Sequence, residues 1–172
     1  MTFTIVRASP SADSSSIAAL VNEVYAAAEQ GLWIEGTVRV SPAEIEGYAA
    51  AGELFVAYDG EELVGAARIQ RLPTGEGELG MLVAHPGRRG GGIGGGLISY
   101  GESWARSEGL GTMQLELLVP QTWTHPVKQY LYEWYTRLGY RVVRTGTFAD
   151  DYPELAPRLA TPCDYLIFHK SW

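Results

Sequence analysis

The most informative segment of the chain is Pro86-Gly87-Arg88-Arg89-Gly90-Gly91-Gly92-Ile93-Gly94-Gly95-Gly96-Leu97. A strand-like run from Glu78 to His85 precedes it, and a helix-like run from Ile93 to Glu108 follows it. The first backbone N–H groups of a helix have no partner within the helix, and the helix dipole places partial positive charge there. Because glycines let a ligand approach the backbone closely, this order of elements predicts a site for phosphate or pyrophosphate. Arg88 and Arg89 add two permanent positive charges at the mouth of the loop.

The position of the glycines favours a functional loop over a flexible linker. Ile93, Leu97, Gly101 and Trp104 share one face at helical spacing, so Gly94 to Gly96 fall in the first turns of a helix. Each glycine inside a helix costs roughly 1 kcal/mol relative to alanine. A segment that served only as a linker would not require glycines there.

Two other phosphate-binding motifs fit this segment less well. A P-loop needs Lys-Ser or Lys-Thr after its glycines, and neither follows here. Gly90, Gly92 and Gly95 match G-x-G-x-x-G, and Glu116 lies downstream, as in a Rossmann dinucleotide site. In that site the first glycine stands at the end of the strand, whereas the residues from Pro86 intervene here. A Rossmann-type nucleotide enzyme stays an alternative, and titration with CoA against NAD distinguishes it.

Three motifs together resemble the GNAT superfamily of acetyltransferases. Arg89-Gly90-Gly91-Gly92-Ile93-Gly94 resembles the Arg/Gln-x-x-Gly-x-Gly/Ala signature of that family. Leu82-Val83-Ala84-His85-Pro86 resembles its L-x-V-x-P strand end, and Trp134-Tyr135-Thr136-Arg137-Leu138-Gly139-Tyr140 resembles its F-Y-x-x-x-G-F segment. Their order and spacing also agree, and the resemblance extends from Leu54 to about Val143. It implies acetyl-CoA as the acetyl donor.

The resemblance also implies how CoA would be bound. The pyrophosphate would bind the backbone amides from Gly90 to Gly95, and the pantetheine arm would pair with the strand at Met81 to Val83. The predicted CoA contacts are Met81, Leu82, Val83, Arg88, Arg89, Gly90, Gly91, Gly92, Ile93, Gly94, Gly95 and Tyr135.

Acetyl transfer to an amine requires a neutral amine, a stabilised oxyanion and a proton for the departing thiolate. Tyr135 is the predicted proton donor, since it occupies the tyrosine position of the family motif, and Tyr132 is the reserve candidate. Either Glu78 or Glu116 is the predicted base, acting through a water chain. A solvated or salt-bridged glutamate is the alternative interpretation of each.

The acceptor side carries weaker indications. Many family members have an asparagine soon after the strand that Thr112 to Val119 forms here, but this chain has Pro120-Gln121-Thr122-Trp123-Thr124-His125-Pro126 instead. Aromatic side chains bind amines through cation–π contacts, although most aromatic residues pack in a core. The predicted acceptor-binding residues are Trp33, Trp123, Tyr130 and Tyr132.

The bulk composition limits the function classes. The chain has 172 residues, one cysteine and a net charge of −7, which indicates a single domain over 1–172 in a reducing compartment, here the cytoplasm. The acidic balance argues against nucleic acid as a partner, and neither a membrane span nor a signal peptide is found. His85, His125 and His169 are scattered, so no metal site is predicted. The oligomeric state is not indicated.

The pattern of elements predicts an α+β fold, a mixed and mostly antiparallel sheet with helices on both faces. A serine at 14–16 is expected to cap the first helix, a capping box at Ser41 the second, and the last long helix is expected over Thr124 to Leu138. The predicted function is direct acetyl transfer from acetyl-CoA to a primary amine of a small molecule, or of a peptide or protein. The alternative is a non-catalytic acyl-CoA sensor or partner-binding module.

Overall fold

The computed structural model describes residues 2–88 and 90–172. The strands are β1 (Thr4–Arg7), β2 (Leu54–Asp59), β3 (Glu62–Arg71), β4 (Gly77–Ala84), β5 (Thr112–Pro120), β6 (Arg141–Gly146) and β7 (Cys163–Ser171). The helices are α1 (Ser14–Ala28), α2 (Pro42–Ala50), α3 (Ile93–Ser107), α4 (Pro126–Arg137) and α5 (Phe148–Asp151). Short 3-10 turns cover Pro86–Arg88 and Ala156–Arg158.

The described strands form one seven-stranded sheet in the order β1-β2-β3-β4-β5-β7-β6. Neighbouring strands are antiparallel, except that β4 and β5 run parallel and are joined by α3. This arrangement confirms the predicted α+β fold with a mixed and mostly antiparallel sheet. The crossover places the N-terminus of α3 at the end of β4, which is where the glycine loop lies.

Alternation along the strands sends side chains to two different cores. Leu54 and Val56 of β2 pack with α1 and α2 on one face of the sheet. Phe55 and Ala57 pack with α3 and α4 on the other face. Both groups are almost fully buried, and the alternation is the period of two that a strand imposes. Helices therefore cover both faces, as predicted.

Several element ends differ from the sequence prediction. The cap of α1 is Asp13, whose Oδ1 accepts from the Ser16 amide at 3.1 Å, because the serines themselves lie inside the helix. The helix α4 begins at Pro126, later than predicted, because His125 caps it by accepting from the Val127 amide at 3.2 Å. The predicted capping box at Ser41 is confirmed. The segment 147–162 contains two short helical turns, Phe148–Asp151 and Ala156–Arg158.

Part of the glycine pattern in α3 serves packing against the sheet. A Cβ at Gly96 would lie 2.8 Å from Cζ of Phe3, and a Cβ at Gly101 would lie 2.9 Å from Cε of Met113. Such distances are shorter than van der Waals contact, so larger residues would push the helix away from the strands. By contrast, Gly95 has no atom within 4 Å of its would-be Cβ. Packing thus explains why Gly96 and Gly101 are glycines, whereas a bound ligand would explain a glycine at an open position such as Gly95.

Candidate active site

The strands β4 and β5 are paired at one end and separate at the other. They pair only at Gly77 with Met113 and at Glu78 with Gln114, although β4 continues to Ala84 and β5 to Pro120. A cavity of about 130 Å³, which we call the central cavity, opens between the separated ends. Residues of β4 and β5 on its walls are Leu79, Gly80, Met81, Leu82, Glu116, Leu117 and Leu118. The cavity therefore reaches backbone edges that a continuous sheet would have paired.

A β-bulge at Met81 marks the β4 side of this cavity. Ala66 and Arg68 are two residues apart on β3 but pair with Val83 and Gly80, so β4 has one extra residue there. Met81 has a φ of 53°, and it is the one non-glycine residue with a positive φ among those described. This conformation costs a non-glycine residue about 1–3 kcal/mol and concentrates at functional sites. Sequence reasoning missed the bulge, because methionine is not a residue that predicts a positive φ.

The glycine loop leads from the Pro86–Arg88 turn into α3 with two residues in the left-handed region. Gly90 has a φ of 77° and Gly92 a φ of 79°. Gly92 is the N-cap of α3, and no side chain caps the helix there. An N-terminus without a side-chain cap leaves its first amides free to bind an anion. This geometry agrees with the phosphate site that the sequence predicts.

The arginine pair of the loop is less available to a phosphate than the sequence implies. The guanidinium of Arg88 forms ion pairs with Asp59 and Glu62 of the β2–β3 hairpin. These carboxylates raise the pKa of Arg88 and offset its charge. Arg88 therefore joins the glycine loop to the hairpin, and its predicted role in CoA binding stays a prediction. The other predicted arginine, Arg89, lies outside the described residues.

Tyr135 of α4 lies on the wall of the central cavity. Its ring meets the ring of Phe168 edge-on at 5.5 Å and lies 5.7 Å from that of Trp134. Burial raises the pKa of Tyr135 well above its ordinary value, so the phenol keeps its proton throughout the neutral range. Tyr132, the reserve candidate on the same helix, does not line this cavity. The structure thus brings the first candidate to the site and leaves the reserve outside.

The two predicted bases lie near each other where β4 and β5 separate. Buried Glu78 accepts hydrogen bonds from Gln70 Nε2 at 3.1 Å and from Gln114 Nε2 at 2.7 Å. Burial, with the nearby carboxylate of Glu116, raises the pKa of Glu78 to about 8. Glu116 lines the central cavity and accepts from the Tyr152 hydroxyl at 3.3 Å. A carboxyl group that titrates near neutral pH is suited to take a proton from an amine.

The predicted acceptor aromatics are not gathered at the cavity. Trp33 packs against Phe148 and donates its indole N–H to Glu29, at the margin of the site. Trp123 and Tyr132 line a separate groove at the start of α4. Tyr130 is 58% exposed and lies near Arg137. Trp123, Tyr130 and Tyr132 therefore lie outside the cavity between β4 and β5, and their role in acceptor binding stays a prediction.

A buried ionic cluster beside the cavity was missed by sequence reasoning. Glu29 at the end of α1 forms ion pairs with Lys128 of α4 at 2.7 Å and with Arg39 of the α1–α2 loop at 3.0 Å. Glu29 and Lys128 are both buried. Burial alone would raise the pKa of Glu29, but the two positive charges hold it below its ordinary value. Glu29, Arg39 and Lys128 are far apart in the chain, so no local sequence pattern predicts that they form one cluster.

The described residues contain neither a metal-binding cluster nor a membrane-spanning helix. No group of three or more His, Cys, Asp or Glu side chains is arranged to hold a metal ion. None of the described helices combines the length and the apolar character that crossing a membrane requires.

Comparison with known proteins identifies the family. Residues 19–140 match the model of the Acetyltransferase (GNAT) family. The chain belongs to this family. The match includes all three motifs noted in the sequence and confirms the predicted resemblance. A search of curated proteins found no significant match.

Solved structures of GNAT proteins share the fold at low sequence identity. The paiA N-acetyltransferase of Thermoplasma acidophilum, solved with coenzyme A, is 15% identical over the full length of both chains, with a TM-score of 0.77. An IAA acetyltransferase from Bacillus cereus is 16% identical over 99% of this chain and 100% of its own, with a TM-score of 0.64. N-acetylglutamate synthase from Neisseria gonorrhoeae, solved with coenzyme A and N-acetyl-glutamate, is 21% identical over 99% of this chain and 35% of its own, with a TM-score of 0.67.

Proposed function

We propose that this GNAT chain, acting as a single domain, transfers the acetyl group of acetyl-CoA directly to a primary amine. The observation that carries the proposal is the separation of β4 and β5 beyond Glu78, close to the uncapped N-terminus of α3. One feature offers unpaired strand edges and the other offers free helix amides. Together they match a ligand with a peptide-like arm and a diphosphate, which is the chemistry of CoA.

The donor would be bound mainly by backbone groups. The amides from Gly90 to Gly95 would bind the diphosphate, and the edge of β4 at Met81 to Val83 would pair with the amides of the pantetheine arm. Structural neighbours solved with coenzyme A support this assignment, among them the paiA enzyme. Acetyl-CoA, when bound, supplies an activated thioester and requires no metal.

Among the proposed catalytic groups, Tyr135 and Glu116 line the cavity of about 130 Å³ between β4 and β5, and Glu78 lines an adjoining cavity of about 80 Å³. Glu78 or Glu116 takes a proton from the ammonium group and leaves a neutral amine, which forms the new C–N bond at the thioester carbonyl carbon. Backbone amides at the Met81 bulge stabilise the negative charge that develops on the carbonyl oxygen. Tyr135 gives its proton to the sulfur as the C–S bond breaks, and it recovers a proton from the nitrogen. The products are the amide and the CoA thiol, with one proton left on the glutamate.

The test separates binding from catalysis. Calorimetry with CoA should show binding, and a panel of primary amines with acetyl-CoA should release free thiol for at least one amine. Binding without thiol release for any amine would identify a non-catalytic acyl-CoA sensor instead. Absence of heat with millimolar CoA would overturn the proposal altogether. A stable acetyl-protein adduct without acceptor would overturn direct transfer.

A further inference from the structure

We propose that the acceptor is a zwitterion, a small primary amine that also carries a carboxylate, and that Arg39 binds this carboxylate. The inference deepens the proposed function and rests on it. It concerns the side of the cleft formed by α1, the α1–α2 loop and the segment 147–162. Arg39 belongs to none of the family motifs in the sequence.

Arg39 borders every step of a path from the surface to the proposed catalytic groups. It lines the central cavity of about 130 Å³ together with Tyr135 and Glu116. It also lines an adjoining cavity of about 80 Å³ that contains Glu78 and an outer one of about 560 Å³. An acceptor that enters from the outer cavity therefore passes Arg39 before it reaches the carboxyl groups.

The position of Arg39 is fixed before any ligand binds. The side-chain oxygen of Asn22 accepts from the backbone amides of Arg39 at 3.2 Å and of Val40 at 3.1 Å. The guanidinium lies over the rings of Tyr25 and Trp33, with its carbon 4.7 Å and 4.8 Å from their centroids. Such stacking holds the planar group while its edge remains free for hydrogen bonds. Pre-organisation of this kind lowers the entropy that binding costs.

The hydrogen-bonding capacity of Arg39 is largely unused. Its Nε is close enough to Glu29 for an ion pair, but the N–H is not aligned for a hydrogen bond, and buried Nη1 has no partner. The oxygens of Glu29 already accept from Lys128 and Trp33. One carboxylate therefore faces two cations, which leaves the cluster with a net charge of +1. A ligand carboxylate would supply both the missing acceptors and the missing charge.

The charges along this path favour an acceptor that carries both a positive and a negative charge. Glu116 and Glu78 on the β4–β5 side suit an ammonium group. Near Arg39, Arg68 is bound by Glu53 and Glu44 belongs to the capping box of α2. The outer cavity also carries Asp151, Glu154 and Arg158 on its walls, so charges of both signs line the entrance. A diamine would place its second cation near Arg39, where repulsion opposes it. An amine with a carboxylate satisfies both ends.

The experiment compares amino acids with their amides as acceptors. Free L-amino acids and the corresponding amino-acid amides are tested with acetyl-CoA by thiol release. A charge-assisted pair is worth about 1.5–3 kcal/mol, so we expect kcat/KM to be about 10- to 100-fold higher for the acid than for its amide. Equal or better rates with amides or diamines overturn the inference but leave the proposed function intact. Acetyl-CoA binding with no turnover of any acid also counts against the inference.

Two variants assign the effect to Arg39. Arg39→Gln leaves the Glu29–Lys128 pair in place, and Arg39→Lys keeps the charge but loses the planar fork. Both variants should bind acetyl-CoA like the wild type. The ratio of kcat/KM for the acid to kcat/KM for its amide should fall to within about threefold of unity in Arg39→Gln. In Arg39→Lys this ratio should lie between the values of the wild type and of Arg39→Gln. Arg71→Lys, at an exposed position on β3, is the matched control and should keep the wild-type ratio. A ratio unchanged in both Arg39 variants would overturn the assignment. If Arg39→Gln does not fold, the wild-type panel still decides.

Discussion

The two sides of the cleft are built in different ways. The proposed donor side consists of one continuous stretch, from the Met81 bulge through the glycine loop into α3, joined by Tyr135 from α4. The proposed acceptor side is assembled from α1, the α1–α2 loop and the segment 147–162. Backbone groups dominate the first side and side chains the second. The comparison shows that a site made of backbone leaves a local pattern in the sequence, whereas a site made of converging side chains does not.

The largest expected effect is a loss of activity on substitution of Tyr135, which lies between the proposed donor and acceptor sides. Tyr135→Phe removes the phenolic proton and little else, so kcat should fall about 100-fold or more while the Kd for acetyl-CoA changes less than threefold. Thiol-release kinetics and calorimetry measure the two quantities. Tyr130→Phe, on the exposed side of the same helix, is the control and should behave like the wild type. An unchanged kcat in Tyr135→Phe would remove this residue from the acid role.

The next effect tests the base. Glu78→Gln should lower kcat about 10- to 100-fold, because the neutral amide cannot accept a proton and Glu116 replaces it only in part. In the wild type, kcat/KM should rise with pH and level off above about 8, which follows the pKa of Glu78. A pH profile that keeps the same midpoint in Glu78→Gln would assign the titration to another group.

The same substitution has an expected effect on stability. The folded pKa of Glu78 is raised from 4.5 to about 8, so folding favours its protonated form. This contribution is full below about pH 4.5 and is lost as the pH rises to about 8. Glu78→Gln should therefore melt higher than the wild type at pH 8.5 and close to it at pH 5. Thermal unfolding at the two pH values measures the difference, and a lower melting temperature of the variant at pH 8.5 would contradict it.

A smaller effect separates the two kinds of glycine on the donor side. Gly95→Ala should stabilise α3 by up to about 1 kcal/mol, yet raise the Kd for CoA about three- to tenfold, because its methyl group would stand where the diphosphate is proposed to bind. Gly47→Ala, also in open space but on α2, should stabilise without changing CoA binding. Gly96→Ala should destabilise, since its methyl group meets Phe3. Equal CoA affinity in Gly95→Ala and Gly47→Ala would argue against the diphosphate site.

The smallest effect concerns the aromatic residues outside the cleft. Trp123→Phe removes an indole that donates to Thr161 and lines only the separate groove. We expect KM for the acceptor to change less than twofold, as measured by the same thiol assay. A large increase in KM would instead indicate that Trp123 contacts the acceptor, so the acceptor site would extend into the separate groove.

The sequence predicted the parts of the fold and site that depend on local pattern. The capping box at Ser41, the helix after the glycine loop and the position of Tyr135 all follow from spacing or from family motifs. The Met81 bulge did not, because a positive φ in a methionine is imposed by the tertiary structure. Arg39 was also missed, since its partners Glu29, Asn22 and Tyr25 are brought to it by the packing of α1. Sequence alone also does not show which turns of α4 face the cavity between β4 and β5, so it could not separate Tyr135 from Tyr130 and Tyr132.

The short pairing of β4 with β5 has a mechanical consequence. Two residue pairs join these strands, whereas nine pairs join β5 to β7. One part of the sheet contains β1, β2, β3 and β4, and the other contains β5, β7 and β6. A short joint at Gly77 and Glu78 links the two parts. A rotation about this joint would widen or narrow the gap without breaking any other strand pairing. Because buried Glu78 lies at this joint, such a rotation would change the width of the gap far more than the position of the proposed base.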